Sequence, residues 1–212
     1  MRDFAAIRRE YVKGRLERKD LDINPISQLK KWIEEAIAAG EIEPTAMNLA
    51  TVDSHKIPHV RTVLLKDITS EGLVFFTNYQ SNKGRQIEQN QFVAVNIFWP
   101  ILERQIRVVG KVKKTSPEVS DMYFNIRPEN SRIGAWASPQ SRVVDDKWVE
   151  MQYEMYSVME QEKELIRPSH WGGYIIEPFE FEFWQGRPNR LHDRFVYLKD
   201  VDKNWSIDRL AP

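Results

Sequence analysis

Short segments rich in β-branched and aromatic residues, separated by turns, fill the middle and the end of this 212-residue chain. This pattern predicts strands at 45–53, 59–68, 73–78, 92–99, 103–113, 173–177, 180–185, 191–198 and 205–209. Many antiparallel strands with a few separate helices are typical of an α+β fold built around a barrel.

Helices are predicted in four places. Asn24 can cap the first, with Pro25 in its first turn and Gly40 at its end. Two shorter helices are expected, one over 81–90 with Ser81 as its cap, and one over about 116–126 with Ser116 as its cap and Pro128 as its stop. A longer helix is expected over about 145–164, with one apolar stripe formed by Trp148, Met151, Met155 and Met159.

Composition limits the partners and the domain count. Lys and Arg balance Asp and Glu at 31 each, so nothing calls for nucleic acid or an anionic membrane. The absence of cysteine excludes disulfides and thiolate metal sites, and no third ligand accompanies His55 and His59, so no metal is predicted. With no membrane-length apolar run and no apolar signal core, a cytoplasmic location is expected. Residues 1–24 are predicted to be a mobile N-terminal segment, and 25–212 a single domain.

The densest cluster of cationic side chains runs from Phe183 to Arg194. After the turn at 186–189, Arg190, His192 and Arg194 are spaced two residues apart and would share one face of a strand. Such a face can bind an anion, because the planar guanidinium matches phosphate or carboxylate oxygens. A solvated face paired with carboxylates is an equally good interpretation from the residues alone.

Two further segments place cations near strand ends. In 61–66, strict alternation puts Arg61 and Lys66 on opposite faces, so a shared ligand requires a strand edge or a bulge. In 77–83, Lys83 falls in the first turn of a helix, where its charge opposes the helix dipole unless an anion lies there. Taken alone, an ordinary strand and a surface lysine are the better interpretations.

Two polar groups follow in the second half. Tyr123 and Arg127 lie four residues apart on a predicted helix, with Ser131 just beyond. They can grip a phosphate or, equally, cap a helix end. Gln140-Ser141 follows the apolar stretch 133–136.

Together these segments resemble the pyridoxine/pyridoxamine 5′-phosphate oxidase family. The resemblance rests on 182–194 (EFWQGRPNRLHDR), which looks like the family signature, and on the blocks 8–11, 61–66, 102–105, 133–136 and 207–212. It runs in order over nearly the whole chain. It implies an antiparallel Greek-key split β-barrel with flanking helices that binds FMN, and a homodimer whose two FMN sites each draw on both subunits.

The resemblance also implies roles for individual residues. FMN would be held by Arg61, Thr62, Val63, Leu64, Leu65, Lys66, Phe76, Thr77, Asn82, Lys83, Gln105, Gln140, Ser141, Trp184 and Arg194. The substrate would be held by Arg8, Tyr11, Lys66, Tyr123, Arg127, Ser131, Arg190, Leu191 and His192, with Arg190 and His192 catalytic. Arg8 and Tyr11 would belong to a mobile cover over the occupied site. Asn82 departs from the arginine often found there in the family, which removes a charge-assisted bond of about 1.5–3 kcal/mol.

The implied reaction is the oxidation of pyridoxine 5′-phosphate and pyridoxamine 5′-phosphate to pyridoxal 5′-phosphate. Molecular oxygen would be the acceptor, giving hydrogen peroxide, with ammonia released from the amine. This would be a pyridoxal 5′-phosphate synthase of vitamin B6 biosynthesis and salvage. Three alternatives stay open: another split-barrel flavin reductase or nicotinamide-dependent reductase, a non-enzymatic FMN- or pyridoxal-phosphate-binding protein, and a barrel that binds neither ligand.

Overall fold

Residues 3–212 are described by the computed structural model, and they form an α+β fold. The helices in this range are α1 (Pro25–Ala38), α2 (Asn82–Gln89), α3 (Pro117–Asn125), α4 (Glu129–Ala137) and α5 (Trp148–Glu162). The strands are β1 (Ala46–Val52), β2 (Pro58–Leu64), β3 (Asp67–Ile68), β4 (Leu73–Asn78), β5 (Phe92–Trp99), β6 (Arg104–Lys114), β7 (Trp171–Gln185), β8 (Asp193–Lys199) and β9 (Trp205–Leu210).

All strands join one antiparallel sheet. They pair in the order β2-β1-β5-β6-β7-β4-β3, and β8 lies between β7 and β9. Strand β7 pairs with β6 along one edge. Along its other edge, the first half of β7 pairs with β4 and the second half pairs with β8. The sheet therefore divides along β7 and curls, which confirms the predicted antiparallel split barrel with flanking helices.

The sequence predicts two strands where the structure has the single long strand β7. Val109 pairs with Glu180, but the next residue, Gly110, pairs with Pro178, so Phe179 has no partner on β6. Gly110 permits this bend, because a Cβ atom there would lie 2.6 Å from the Glu177 carbonyl oxygen. The interruption in the sequence pattern is therefore a β-bulge within a continuous strand.

The first helix follows its sequence signals. The Asn24 side chain accepts the N–H of Ile26, and Pro25 occupies the first turn. Its apolar face lies in the core, where the Trp32 ring meets the Phe183 ring edge to face at 5.1 Å. Burying this face is what fixes α1 against the barrel.

Helix α4 was not predicted. It begins directly after Pro128, which the sequence favours as the stop of α3, and it contains Gly134. Both residues weaken a helical pattern, and a helix of nine residues is too short to show a clear helical periodicity in the sequence. The helix is held by packing instead: Ile133 and Ala137 are buried. The predicted apolar stripe does lie on one helix, α5, but the side chains of Met151, Met155 and Met159 are all exposed in the single chain.

The N-terminal segment makes several contacts with the barrel. The Leu16 side chain is buried in the core, and its N–H donates to the Asp193 carboxylate. The Tyr197 hydroxyl donates to the Asp22 carbonyl oxygen at 2.7 Å. Mobility of residues 1–24 and a domain boundary at 25 stay predictions, and the first two residues lie outside the described part. Within the described part, none of the helices has the length and apolar character needed to cross a bilayer.

Candidate active site

A cavity of about 770 Å³ opens between β2, β4, α2 and the helices α3 and α4. Among the described residues that line it, none is Asp or Glu, whereas four are cationic. The lining brings together many residues that the sequence singled out: Arg61, Thr62, Val63, Leu64, Lys66, Phe76, Thr77, Asn82, Lys83, Tyr123, Arg127, Ser131, Gln140 and Ser141. It adds residues to which the sequence analysis gave no individual role: Asn78, Gly134, Ala135, Ser138 and Trp171.

A break in the predicted strand 59–68 brings Arg61 and Lys66 to the same cavity. The Leu65 N–H donates to the Thr45 carbonyl oxygen at 2.9 Å, whereas the Lys66 N–H donates to the Val74 carbonyl oxygen at 2.8 Å. The chain therefore changes partner between these two residues, and strict alternation ends. The Leu65 side chain turns into the core and is not part of the cavity lining.

Lys83 is a buried cation at the first turn of α2, which Ser81 caps as predicted. Its Nζ donates to Thr77 Oγ1 at 3.1 Å, Ser81 Oγ at 3.2 Å and Gln140 Oε1 at 3.3 Å, all neutral acceptors. Burial, followed by the charge of Arg61, lowers the pKa of Lys83 to about 8. An anion beside Nζ would stabilise its charged form.

Neighbouring groups complete this end of the cavity. The Arg61 guanidinium donates to the Leu49 carbonyl oxygen, Thr51 Oγ1 and Gln86 Oε1, and burial lowers its pKa. The Asn82 N–H donates to Ser141 Oγ at 3.2 Å. One buried cation, one half-buried cation, hydroxyl groups and a helix N-terminus together provide what a phosphate dianion needs.

Another cation, Arg127, lies against aromatic rings on the α3 side of the cavity. Phe76 stacks on Tyr123 at 3.9 Å between ring centroids, and the Trp171 ring lies beside both, 5.7 Å from Phe76 and 6.3 Å from Tyr123. The Arg127 guanidinium lies 4.4 Å from the Trp171 centroid. Its Nη1 is buried, and no hydrogen-bond acceptor for it exists within residues 3–212. Burial lowers the pKa of Arg127 and raises the pKa of Tyr123. An oxyanion would give the unpartnered N–H group an acceptor.

A separate cavity of about 620 Å³ lies where the N-terminal segment meets the connection from β7 to β8. It brings together Arg8, Tyr11, Arg190 and His192, whereas Leu191 is not part of its lining and is 63% exposed. The sequence analysis gave no individual role to the other residues of its lining: Ile7, Arg9, Glu10, Arg187 and Asn189.

The prediction that Arg190, His192 and Arg194 share one strand face is wrong. Strand β8 begins only at Asp193, and a 3-10 turn precedes it, with Asn189 at φ 57° and Arg190 at φ 62°. A left-handed pair after a proline cannot continue a β ladder. Arg190 and His192 therefore belong to a loop, and only Arg194 belongs to the strand.

The loop fixes the orientation of His192. Its Nδ1 accepts the backbone N–H of Arg187 at 3.1 Å, which leaves the ring hydrogen on Nε2. Burial and the charge of Arg190 lower the pKa of His192. The ring also lies 4.6 Å from Trp184 and 5.8 Å from Tyr11 between centroids. His192 is thus built as a neutral hydrogen-bond donor through Nε2.

Besides Leu65, three expected cofactor residues line neither cavity. Gln105, Trp184 and Arg194 are direct neighbours across β6, β7 and β8. Arg194 donates to Glu182 Oε1 at 2.8 Å, and this hydrogen bond raises its pKa. The cross-strand pairs place these three residues on the same face of the sheet as Thr62 of β2. Four strand spacings, or about 19 Å measured along the sheet, separate β2 from β7, which carries Trp184. In one chain, the expected site is therefore divided into two parts.

Comparisons with known proteins show the family. Residues 33–155 match a family model described as pyridoxamine 5′-phosphate oxidase, and residues 171–212 match one described as the pyridoxine 5′-phosphate oxidase C-terminal dimerisation region. Similar curated proteins, named pyridoxine/pyridoxamine 5′-phosphate oxidase, come from Cytophaga hutchinsonii (49% identical, 99% of both chains) and Mannheimia succiniciproducens (50% identical, 100% of both chains).

Solved structures share the fold. PhzG from Burkholderia lata, in complex with tetrahydrophenazine-1-carboxylic acid, superposes with a TM-score of 0.86 at 29% identity, covering 92% of this chain and 95% of that one. A pyridoxamine 5′-phosphate oxidase-related, FMN binding protein from Nostoc punctiforme gives 0.73 at 16% identity, covering 91% and 100%. The chain belongs to the pyridoxine/pyridoxamine 5′-phosphate oxidase family of oxidoreductase enzymes.

Proposed function

We propose that the protein is an FMN-dependent oxidase that converts pyridoxine 5′-phosphate and pyridoxamine 5′-phosphate to pyridoxal 5′-phosphate. The observation that carries the proposal is the first cavity, which has four cations, no carboxylate in its described lining, and a partnerless N–H group on Arg127. Two phosphorylated ring compounds in one site would meet these demands. Bound FMN would supply the hydride acceptor and pass the electrons to oxygen, giving hydrogen peroxide.

The residues of the first cavity would divide between the two phosphates. Lys83 and Arg61, with the first turn of α2 and the pair Gln140-Ser141, would hold the FMN phosphate. Lys66, Tyr123, Arg127 and Ser131 would hold the phosphate of the substrate. Tyr123 favours this assignment: its raised pKa keeps the hydroxyl protonated, so it can donate to a phosphate oxygen.

Arg190 and His192 would act on the pyridine ring of the substrate. The guanidinium of Arg190 is exposed at the second cavity and lacks the strand pairing that would fix it elsewhere. The Nε2–H of His192 would donate to the ionised substituent of the ring. Because Nδ1 already accepts a backbone N–H, His192 polarises and orients the substrate rather than removing a proton.

A homodimer would join the two cavities into one site. Trp184 and Arg194 do not line the first cavity of their own chain, so a second copy would supply them. Both lie in the region matched to a dimerisation module. The sheet face between them exposes apolar side chains that a second copy would cover, including Val60 (69% exposed) and Phe98 (43%).

Three further expectations stay proposals. The segment 1–24 would move when ligands enter, with Arg8 and Tyr11 closing over the substrate. Residues 25–212 would form one domain. The protein would work in the cytoplasm, with no nucleic acid or membrane as partner.

The visible spectrum of the purified protein, followed by anaerobic addition of pyridoxine 5′-phosphate, tests the proposed function. We expect a flavin spectrum that bleaches with substrate and recovers with oxygen, and hydrogen peroxide in step with product. Bleaching by NADPH alone would indicate a reductase instead. A flavin spectrum without bleaching or oxygen uptake would indicate a binding protein, and a colourless protein unable to bind added FMN would overturn the proposal.

The variant Arg190→Ala separates substrate chemistry from cofactor binding. Its FMN content should match that of the unaltered protein, while turnover of pyridoxine 5′-phosphate falls strongly. Unchanged steady-state kinetics would remove Arg190 from the reaction.

A further inference from the structure

We propose that Glu103 is a positioning residue for this reaction, because it anchors the segment that carries Arg8 and Tyr11. We call residues 8–16 the N-terminal strap. The inference rests on the proposed function for its kinetic part, whereas the anchoring itself is independent of it.

The carboxylate of Glu103 binds the strap directly. Its Oε2 accepts the backbone N–H of Val12 at 2.7 Å and that of Lys13 at 2.8 Å. Its Oε1 accepts from Arg9 Nη2 at 3.3 Å. Glu103 is fully buried, whereas the Arg9 side chain is 62% exposed. The two backbone bonds are therefore the main anchor, since an exposed ion pair contributes little.

The backbone of Glu103 ties the same point to the loop of the second cavity. It lies in the turn between β5 and β6 at φ 55°, a conformation that costs free energy for a residue with a side chain. Its carbonyl oxygen accepts the N–H of Gly186 at 2.7 Å. Gly186 in turn packs under Tyr11, so closely that a Cβ there would lie 2.8 Å from the ring.

These contacts decide where Tyr11 lies. Its ring meets the Trp184 ring edge to face at 5.6 Å and the His192 ring at 5.8 Å. Tyr11 and Val12 are adjacent in the chain, so the hydrogen bond from the Val12 N–H to Glu103 fixes the position of the Tyr11 ring at the second cavity. Without the strap, the buried carboxylate would lose both of its backbone donors. The carboxylate of Glu103 therefore has its backbone hydrogen-bond donors only while the strap is docked.

Glu41 offers a matched control. It is also a buried carboxylate, and its Oε1 accepts two backbone N–H groups, those of Ile101 at 2.7 Å and Leu102 at 3.1 Å. It braces the same turn without a contact to the strap. Glu41→Gln and Glu103→Gln therefore make the same chemical change, and only the second weakens the strap anchor.

Limited trypsin digestion of the full-length protein measures opening of the strap, which offers cleavage sites at Arg8, Arg9, Lys13 and Arg15. We expect cleavage of the strap to be about tenfold faster in Glu103→Gln, the effect of weakening one charge-assisted hydrogen bond, and unchanged in Glu41→Gln. With pyridoxine 5′-phosphate, Glu103→Gln should raise KM about tenfold with kcat within about twofold, because the strap contributes binding rather than chemistry.

A second variant tests the contact from the other side. Val12→Pro removes the N–H donor and leaves the carboxylate in place, so it serves even if Glu103→Gln folds poorly. Val12→Pro should reproduce the faster cleavage and the higher KM, and the double variant should be no worse than either alone. Equal cleavage in the unaltered protein, Val12→Pro and Glu103→Gln would overturn the proposal, as would additive effects on KM. An inactive unaltered protein would instead refute the proposed function, while the cleavage comparison would still test the anchor.

Discussion

Replacing Lys83 by methionine should change cofactor affinity and the stability of the cofactor-free protein in opposite directions. The pKa of Lys83 falls from 10.5 to about 8 because the amine is buried and lies beside Arg61. At about 1.4 kcal/mol per pH unit, keeping this amine charged at neutral pH costs the cofactor-free folded protein about 3 kcal/mol relative to the unfolded chain. A bound phosphate beside Nζ would offset this cost, because an opposite charge stabilises the charged amine.

Methionine keeps the length of the side chain and removes this cost. It also loses the three hydrogen bonds of Nζ, but their acceptors keep other partners: Ser81 Oγ still binds the Asn78 carbonyl oxygen, and Thr77 Oγ1 still donates to Gln140. Losing these bonds costs about 2 kcal/mol, so the cofactor-free variant should gain about 1 kcal/mol, or about 2–4 °C in Tm. FMN should bind about 10- to 150-fold more weakly, because one charge-assisted bond to its phosphate is lost.

The pH dependence gives a second signature. Because the pKa of Lys83 is lower in the folded protein than in the unfolded chain, the unfolded chain binds more protons between pH 8 and 10.5. This group therefore makes the cofactor-free protein more stable as pH rises through that window, and Lys83→Met should lack the rise.

Calorimetry of the cofactor-free protein and fluorescence titration with FMN measure the two effects, with the exposed Lys111→Met as the control. An FMN dissociation constant within twofold of the original would refute the reasoning. So would a Tm of the cofactor-free variant that falls by several degrees.

Three other variants or measurements test other parts of the structure. Arg127→Lys removes the planar fork whose Nη1 is buried without a partner, so KM for pyridoxine 5′-phosphate should rise at least about tenfold with FMN content unchanged; an unaltered KM would argue against a phosphate there. Nitrogen-15 NMR should show His192 unprotonated at Nδ1 at pH 7 and titrating below 6.5, so activity that depends on the neutral ring is lost only at lower pH; titration above 6.5 would contradict the structure. Gly84→Ala should lower Tm by several degrees, since its Cβ would lie 2.0 Å from the Tyr79 carbonyl oxygen; an unchanged Tm would show that this turn can relax.

Much of the fold is visible in local sequence patterns. The caps of α1, α2 and α3 depend on side chains that bond their own helix, at Asn24, Ser81 and Ser116, and each was predicted. Helix α4 and the continuous strand β7 were not predicted, because packing and a bulge at Phe179 decide them rather than local preference.

The site shows the same division. Tyr123 and Arg127 line the same cavity as expected, but they do not share one helix: α3 ends at Asn125, and Arg127 lies in the turn that follows, where its N–H donates to the Phe124 carbonyl oxygen. The convergence of Arg61 and Lys66 was left open, since it needs a change of strand partner at 65–66 that no local signal encodes. Trp171 was missed, because its role comes from stacking with residues distant in the chain.

The central claim is that the first cavity of one subunit and the Arg190 loop of another form one active site, and co-expression of two inactive variants tests it most directly. Arg127→Ala and Arg190→Ala should each be nearly inactive as homodimers. With random pairing, half of the dimers are mixed and each mixed dimer has one intact site, so about a quarter of the original activity should return. No recovery in dimers that demonstrably contain both variants would show that each chain forms its site alone.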